Sequence, residues 1–248
     1  MLQASYYPPF RYLGTKMHSQ HRNGLLFFVM LTTLLMSCSI FDKTNEYRHE
    51  TPSEFYLYLP EDYRADQEWI LFIGLHGEGE TGRDCFNNWQ PFADEFEFVL
   101  VCPTLLEEDG ELVTLEGERR IAGVLTEIYR QVTVKDRFFL VGFSAGAEFA
   151  LAYAYRYPHA ISGVAAISAE SFPQPTAKSI DLPVLITVGE LETDRVEITQ
   201  EFAESLDANG FAARLLVLRG VGHRLSGDAT RITLDFLQQV SRKELGEY

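Results

Sequence analysis

The chain is poor in several things, and each shortage excludes a class of protein. It has 3 cysteines and 6 histidines in 248 residues, and none falls at the paired spacings that hold structural zinc or an iron–sulfur cluster. A metal centre is therefore not expected, and no motif implies a cofactor. Positive charge is scarce: 21 Lys and Arg stand against 36 Asp and Glu, a net charge of −15. Nucleic-acid binding needs a basic face, so that class is excluded, as is peripheral attachment to anionic lipid through a basic patch. Long apolar runs are missing too. A membrane-spanning helix needs about 20 apolar residues, and the N-terminal run Leu25–Met36 stops at 12. Internal repeats and low-complexity segments are absent.

The first 37 residues lack Asp and Glu altogether and carry three basic residues, Arg11, Lys16 and Arg22. A basic segment followed by a short apolar run is the pattern of a signal peptide. Leu35-Met36-Ser37-Cys38 then resembles a bacterial lipobox, in which cleavage precedes the cysteine and the cysteine receives lipid. Residues 1–37 are expected to be a lipoprotein-type signal peptide, with Cys38 as the membrane anchor and residues 38–52 as a polar tether. Met17 opens a more compact signal than Met1 does, so translation is expected to start there. The chain from Cys38 onward has 18 basic against 36 acidic residues, a net of −18. Its length suits one domain, 53–248, with a sizeable core. Cys85 and Cys102 are left either paired, as an oxidising compartment allows, or as two separate buried thiols.

Within that domain, continuous apolar runs alternate with helical patterns. Trp69–Leu75, Glu97–Cys102, Arg137–Gly142, Ile161–Ile167, Leu182–Val188 and Ala213–Leu218 read as strands buried on both faces, and Glu54–Pro60 as an edge strand. Helices are expected over 115–132, 147–157, 196–208 and 229–240. The alternation implies an α/β fold with a mostly parallel sheet and helices on both faces. The gap between Ile167 and Leu182 is too short for a large lid domain, so any site is expected to be open.

Gly142-Phe143-Ser144-Ala145-Gly146 sits where a strand turns into a helix. Gly-x-Ser-x-Gly in that context is a nucleophile elbow: the turn forces the serine into a strained backbone, and residues two before and two after it must be small. The helix start behind Ser144 offers free N–H groups and a positive dipole end, both of which favour an oxyanion. Three further stretches fall at predicted strand ends, where open α/β sheets bind ligands. They are the turn His76-Gly77-Glu78-Gly79, the acidic turn Gly189-Glu190-Leu191-Glu192-Thr193-Asp194-Arg195, and Gly220-Val221-Gly222-His223.

On these residues, residues 52–248 resemble the α/β-hydrolase fold. The likeness is to its small single-domain esterases of the polyhydroxybutyrate-depolymerase, feruloyl-esterase and phospholipase/carboxylesterase types. The chain order serine, acid, histidine matches that fold. The resemblance implies Ser144 as nucleophile, His223 as base, and backbone N–H groups of Ala145 and Glu78 as an oxyanion hole, with His76 structural. The acid remains open. The usual Gly-x-x-Asp spacing lands on Glu192, the first choice; Asp194 is second and Glu190 third. Glu78 departs from what an oxyanion loop would favour, so its carboxylate must point away. The acidic run from Glu107 to Glu111 either rims the site or is a solvated loop. The implied activity is hydrolysis of small, phenolic, sugar or lipid esters in a bacterial envelope, facing the periplasm or exterior. A peptidase of the same fold, or a binding protein that kept the fold without catalysis, are the alternatives.

Overall fold

The computed structural model describes residues 45–244, apart from 52, 106, 109, 110 and 113. The signal peptide, Cys38 and most of the expected tether lie outside the described residues. All described residues belong to one unit.

The apolar runs form the sheet. Its strands are β1 (Glu46–His49), β2 (Phe55–Tyr58), β3 (Trp69–Leu75), β4 (Phe98–Pro103), β7 (Val134–Phe143), β8 (Ile161–Ile167), β9 (Val184–Gly189) and β10 (Ala213–Leu218). They lie in the order β1-β2-β4-β3-β7-β8-β9-β10. The β1–β2 and β2–β4 pairs are antiparallel and the rest are parallel. β5 (Glu107–Glu108) and β6 (Glu111–Leu112) make a separate small hairpin in the acidic run.

Parallel neighbours need crossovers, and five helices supply or flank them: α1 (Gly82–Trp89), α2 (Thr114–Gln131), α3 (Ala145–Arg156), α4 (Thr193–Ala208) and α5 (Gly227–Glu244). Alternate strand residues feed two cores. Leu71, Ile73, Val99, Val101, Phe138 and Leu140 pack with Ile121, Val124 and Ile128 of α2, Phe149 and Leu151 of α3 and Phe202 and Leu206 of α4. Phe72, Phe98, Leu100, Phe139 and Val141 pack on the other face with Phe86 and Trp89 of α1 and Leu234, Leu237 and Val240 of α5. The period-2 alternation of the strand thus becomes two layers of helices around one sheet.

Several departures from the expected layout have physical causes. β10, expected to be buried on both faces, ends the sheet with one open edge, and only its Leu218 is buried. The expected tether ends early, because Glu46–His49 pairs with β2 and is the edge strand, largely exposed; β2, expected at the edge, is corrected to an internal strand between β1 and β4. The polar composition of β1 hides it from a hydrophobicity reading. Helix α1 is also unforeseen. It is short, starts at glycine and holds two asparagines. Its N-terminus is set instead by a capping box, in which Asp84 Oδ2 accepts the Thr81 N–H at 2.9 Å and the Thr81 hydroxyl at 2.8 Å. Those bonds hold the Asp84 carboxyl below the usual carboxylate range. Between β8 and β9 the chain makes only a 3-10 turn at Ala177–Ser179, and no lid is inserted there.

Cys85 of α1 and Cys102 of β4 form a disulfide, with Cα atoms 6.0 Å apart. This resolves the open alternative in favour of pairing. The bond staples α1, and with it the loop leading from β3, to the neighbouring strand. Closing a loop over a sequence separation of 17 is worth about 3 kcal/mol. Replacing both cysteines by alanine is expected to lower the thermal midpoint by roughly 6–12 °C, measured by circular dichroism. Added reductant should lower the wild type toward the same value and leave the variant unmoved.

Candidate active site

Ser144, His223 and Glu192 arrive at one place from three separate strand ends. The Ser144 hydroxyl donates to His223 Nε2 at 3.0 Å. His223 Nδ1 meets Glu192 Oε2 at 2.6 Å. A carboxylate only accepts, so Nδ1 carries the proton and Nε2 is left as the acceptor for the serine. Each member is held by its local chain.

Ser144 has φ 53° and ψ −124°, a region that non-glycine residues avoid. The turn is stabilised from both sides. The Ser144 N–H donates to Ile167 O at the end of β8 (2.9 Å), and the Ala147 and Glu148 N–H groups close onto Ser144 O. The glycines on either side of the serine are needed for space. A Cβ on Gly142 would sit 2.0 Å from Gly146 O, and one on Gly146 would sit 2.3 Å from His76 O. The helix start therefore lies directly on the end of β3.

That contact brings the His76–Glu78 turn beside the serine. His76 is 1% exposed. The Leu105 N–H donates to its Nε2 at 2.9 Å, which leaves the Nδ1 proton to donate to Gly77 O at 2.8 Å. Fixing the Gly77 carbonyl fixes the peptide that carries the Glu78 N–H. The Gly77 N–H is taken up by Glu80 Oε2 at 2.9 Å. Among the described residues neither the Glu78 nor the Ala145 N–H has an acceptor. Glu78 is exposed.

His223 lies in the loop after β10, and its ring stacks on Phe143 with centroids 5.0 Å apart and planes at 30°. Phe143, the residue before the serine, also lies against Gly77, where an added Cβ would be 3.1 Å from its ring. One aromatic ring thus braces both the histidine and the turn after β3. Sequence reasoning passed over it because the elbow motif leaves that position free.

Of the three candidate carboxylates, only Glu192 reaches His223. It occupies the N-cap position of α4, its side chain 2% exposed. Asp194, the second choice, is corrected: it sits in the exposed first turn of α4. Arg195, which could have paired with Asp194, instead forms ion pairs with Glu170 and, at 3.6 Å, with Glu192. Glu190 braces the turn by accepting the Gly220 N–H at 2.8 Å. Glu192 is also bonded to Ser168 and to the Gly189 N–H. Ser168 went unnoticed in the sequence; its signal is a serine placed just past the end of the strand beside β9. No group of side chains able to hold a metal occurs among the described residues. Within the acidic run, Glu107–Glu108 pairs antiparallel with Glu111–Leu112, and residues 109 and 110 lie outside the described residues.

No curated protein sequence matches significantly. Solved structures do. The structure of esterase PE8 is 25% identical, with 74% of this chain and 97% of that one covered and a TM-score of 0.55. An S-formylglutathione hydrolase from Staphylococcus aureus is 12% identical, with coverages of 79% and 98% and a TM-score of 0.62. A feruloyl esterase module from Clostridium thermocellum, solved with sinapinate, is 13% identical, with coverages of 77% and 86% and a TM-score of 0.62. The last two likenesses speak for the fold alone. The profile of the alpha/beta hydrolase fold family matches residues 75–238, the span from the end of β3 into α5 that carries every residue of the site, and the chain belongs to that family.

Proposed function

We propose that the protein is a serine-dependent carboxylic ester hydrolase working through an acyl-enzyme on Ser144. The observation that carries this is the unbroken hydrogen-bond chain from Ser144 Oγ through His223 to Glu192. As the ester carbonyl is attacked, the Ser144 proton moves to His223 Nε2. Glu192 stabilises the imidazolium that results without taking the proton itself. The proton then passes to the departing alcohol, and the acyl group remains on Ser144. Water then attacks the acyl carbon and gives a proton to His223, which returns it to Ser144 Oγ as the acyl–Oγ bond breaks and the acid leaves. Negative charge on the carbonyl oxygen is met by the Ala145 and Glu78 N–H groups. Losing one such donor typically costs about 3 kcal/mol of transition-state stabilisation.

The likeness to an esterase at 25% identity supports ester hydrolysis over amide hydrolysis. So does the short connection between β8 and β9, which leaves no room for the gating domain that peptidases of this fold carry. The non-catalytic alternative drew only on the doubtful acid. With Glu192 2.6 Å from His223, nothing favours it. Small, phenolic, sugar or lipid esters are the substrate range, reached through an open site.

The protein is also proposed to act outside the cytoplasm of a bacterium, tethered by lipid on Cys38. The order of basic, apolar and small residues before Cys38 supports this, and so does the Cys85–Cys102 disulfide, a bond that persists in oxidising compartments.

Three outcomes are expected. A fluorophosphonate probe labels the wild type and not Ser144→Ala, and hydrolysis of p-nitrophenyl and feruloyl esters falls on the order of 10⁴-fold or more in that variant; a labelled Ser144→Ala protein would sink the assignment. Glu192→Gln lowers kcat by on the order of 10³-fold to 10⁴-fold, whereas Asp194→Asn stays within about twofold; equal activity in the two variants would exclude Glu192 as the acid. Radiolabelled palmitate is incorporated into the protein in a bacterial host, and Cys38→Ala abolishes it.

A further inference from the structure

Glu192 is held by more than its histidine. Oε1 accepts the Ser168 hydroxyl at 2.7 Å and the Gly189 N–H at 2.9 Å. Oε2 is left to His223 at 2.6 Å, with Arg195 Nη1 at 3.6 Å. The two oxygens are thus divided between two tasks.

Ser168 is unusual in its own right. It is 2% exposed and has φ 54°. Only Glu97 and Ser144 share a positive φ among the described non-glycine residues, and Glu97 is in an exposed turn. Glycine is the residue that meets this backbone without strain. Such outliers persist where surrounding structure over-determines them, and they cluster at functional sites. The backbone here is pinned by the Ser168 N–H donating to Thr187 O at 2.8 Å. A glycine would satisfy that bond equally well. What serine adds is the hydroxyl, and the hydroxyl is spent on the carboxylate of Glu192.

We infer that Ser168 is a positioning residue that turns the Glu192 carboxylate so that Oε2 faces His223. The inference rests on the ester-hydrolase reading above, in which Glu192 orients the histidine. A glutamate has one more side-chain torsion than an aspartate, and its last torsion is broad and weakly restrained. A single donor on Oε1 would leave the carboxylate free to rotate about that contact. Two donors arriving from β8 and β9 fix its plane. Ser168 thereby lets a glutamate work at a position where the family's usual spacing places an aspartate.

The experiment uses the purified full chain and compares the wild type, Ser168→Gly, Ser168→Ala, Glu192→Gln and the Ser168→Gly/Glu192→Gln double variant. The readouts are p-nitrophenyl acetate kinetics, the rate of fluorophosphonate labelling, and thermal midpoint. A hydrogen bond to a charged group is worth about a factor of 10 or more. Ser168→Gly is expected to lower kcat and the labelling rate by about that factor, with KM within about twofold. Its thermal midpoint stays above that of Ser168→Ala, because both variants lose the hydroxyl bond and only glycine relieves the strained φ. Ser168→Ala loses the same activity. In the Glu192→Gln background Ser168→Gly costs nothing further, since both changes remove one arrangement. Wild-type kcat in Ser168→Gly, an activity loss that follows the thermal midpoint from Ser168→Gly to Ser168→Ala, or an additive loss in the double variant would each overturn the inference. Failure of the wild type to label would instead count against the ester-hydrolase reading.

Discussion

The site depends on one backbone contact. Where β7 turns into α3, Gly146 lies so close to the end of β3 that a single added carbon would stand 2.3 Å from His76 O. This approach sets the nucleophile beside the loop proposed to bind the oxyanion. It also stacks the N-terminus of α3 at the point where strand order reverses between β3 and β7, the place where such sheets bind ligands. The strain at Ser144 follows from the same constraint. A side chain at either glycine would push the strand and helix apart and move the serine away from the turn after β3.

Around this contact the fold has to bury a charge. Glu192 has a side chain 2% exposed, and an unpaired carboxylate at that depth would be strongly destabilising. It is matched by a hydroxyl, a backbone N–H, the histidine and a nearby guanidinium. The guanidinium is itself balanced by Glu170, whose N–H is held by Glu148 of α3 at 3.0 Å. The loop after β8 is thus tied to the helix that carries Ser144 and to the helix that begins at Glu192. In a chain of net charge −15, Arg195 is one of few cations, and it stands beside the proposed catalytic acid.

Legibility followed apolar continuity in the chain rather than burial, since β10 was legible although only Leu218 of it is buried. β3, β8 and β10 were readable to the residue, because continuous apolar runs bounded by polar turns admit little else. β1 was not, because an edge strand of Glu, Tyr, Arg and His needs no apolar signal and is defined by its partner. α1 was not, because its stability comes from a capping box, a disulfide and packing of Phe86 and Trp89 on the sheet rather than from helix propensity. Ser168 was invisible because its role exists only through a backbone conformation and a partner 24 residues away.

The sequence by itself determined the fold and two of the three members of the candidate site. A glycine-flanked serine between a buried strand and a helix is compatible with few turns besides an elbow, and a histidine after the last strand has a single place to go. The choice among Glu190, Glu192 and Asp194 belonged to the tertiary structure, as did the pairing of Cys85 with Cys102. The three carboxylates share charge, loop and neighbourhood in the chain. They differ only in direction: Glu190 turns to the Gly220 backbone, Asp194 to solvent, and Glu192, at the N-cap of α4, inward to His223. Direction is set by how a helix start seats against two strand ends, and that seating requires the whole sheet.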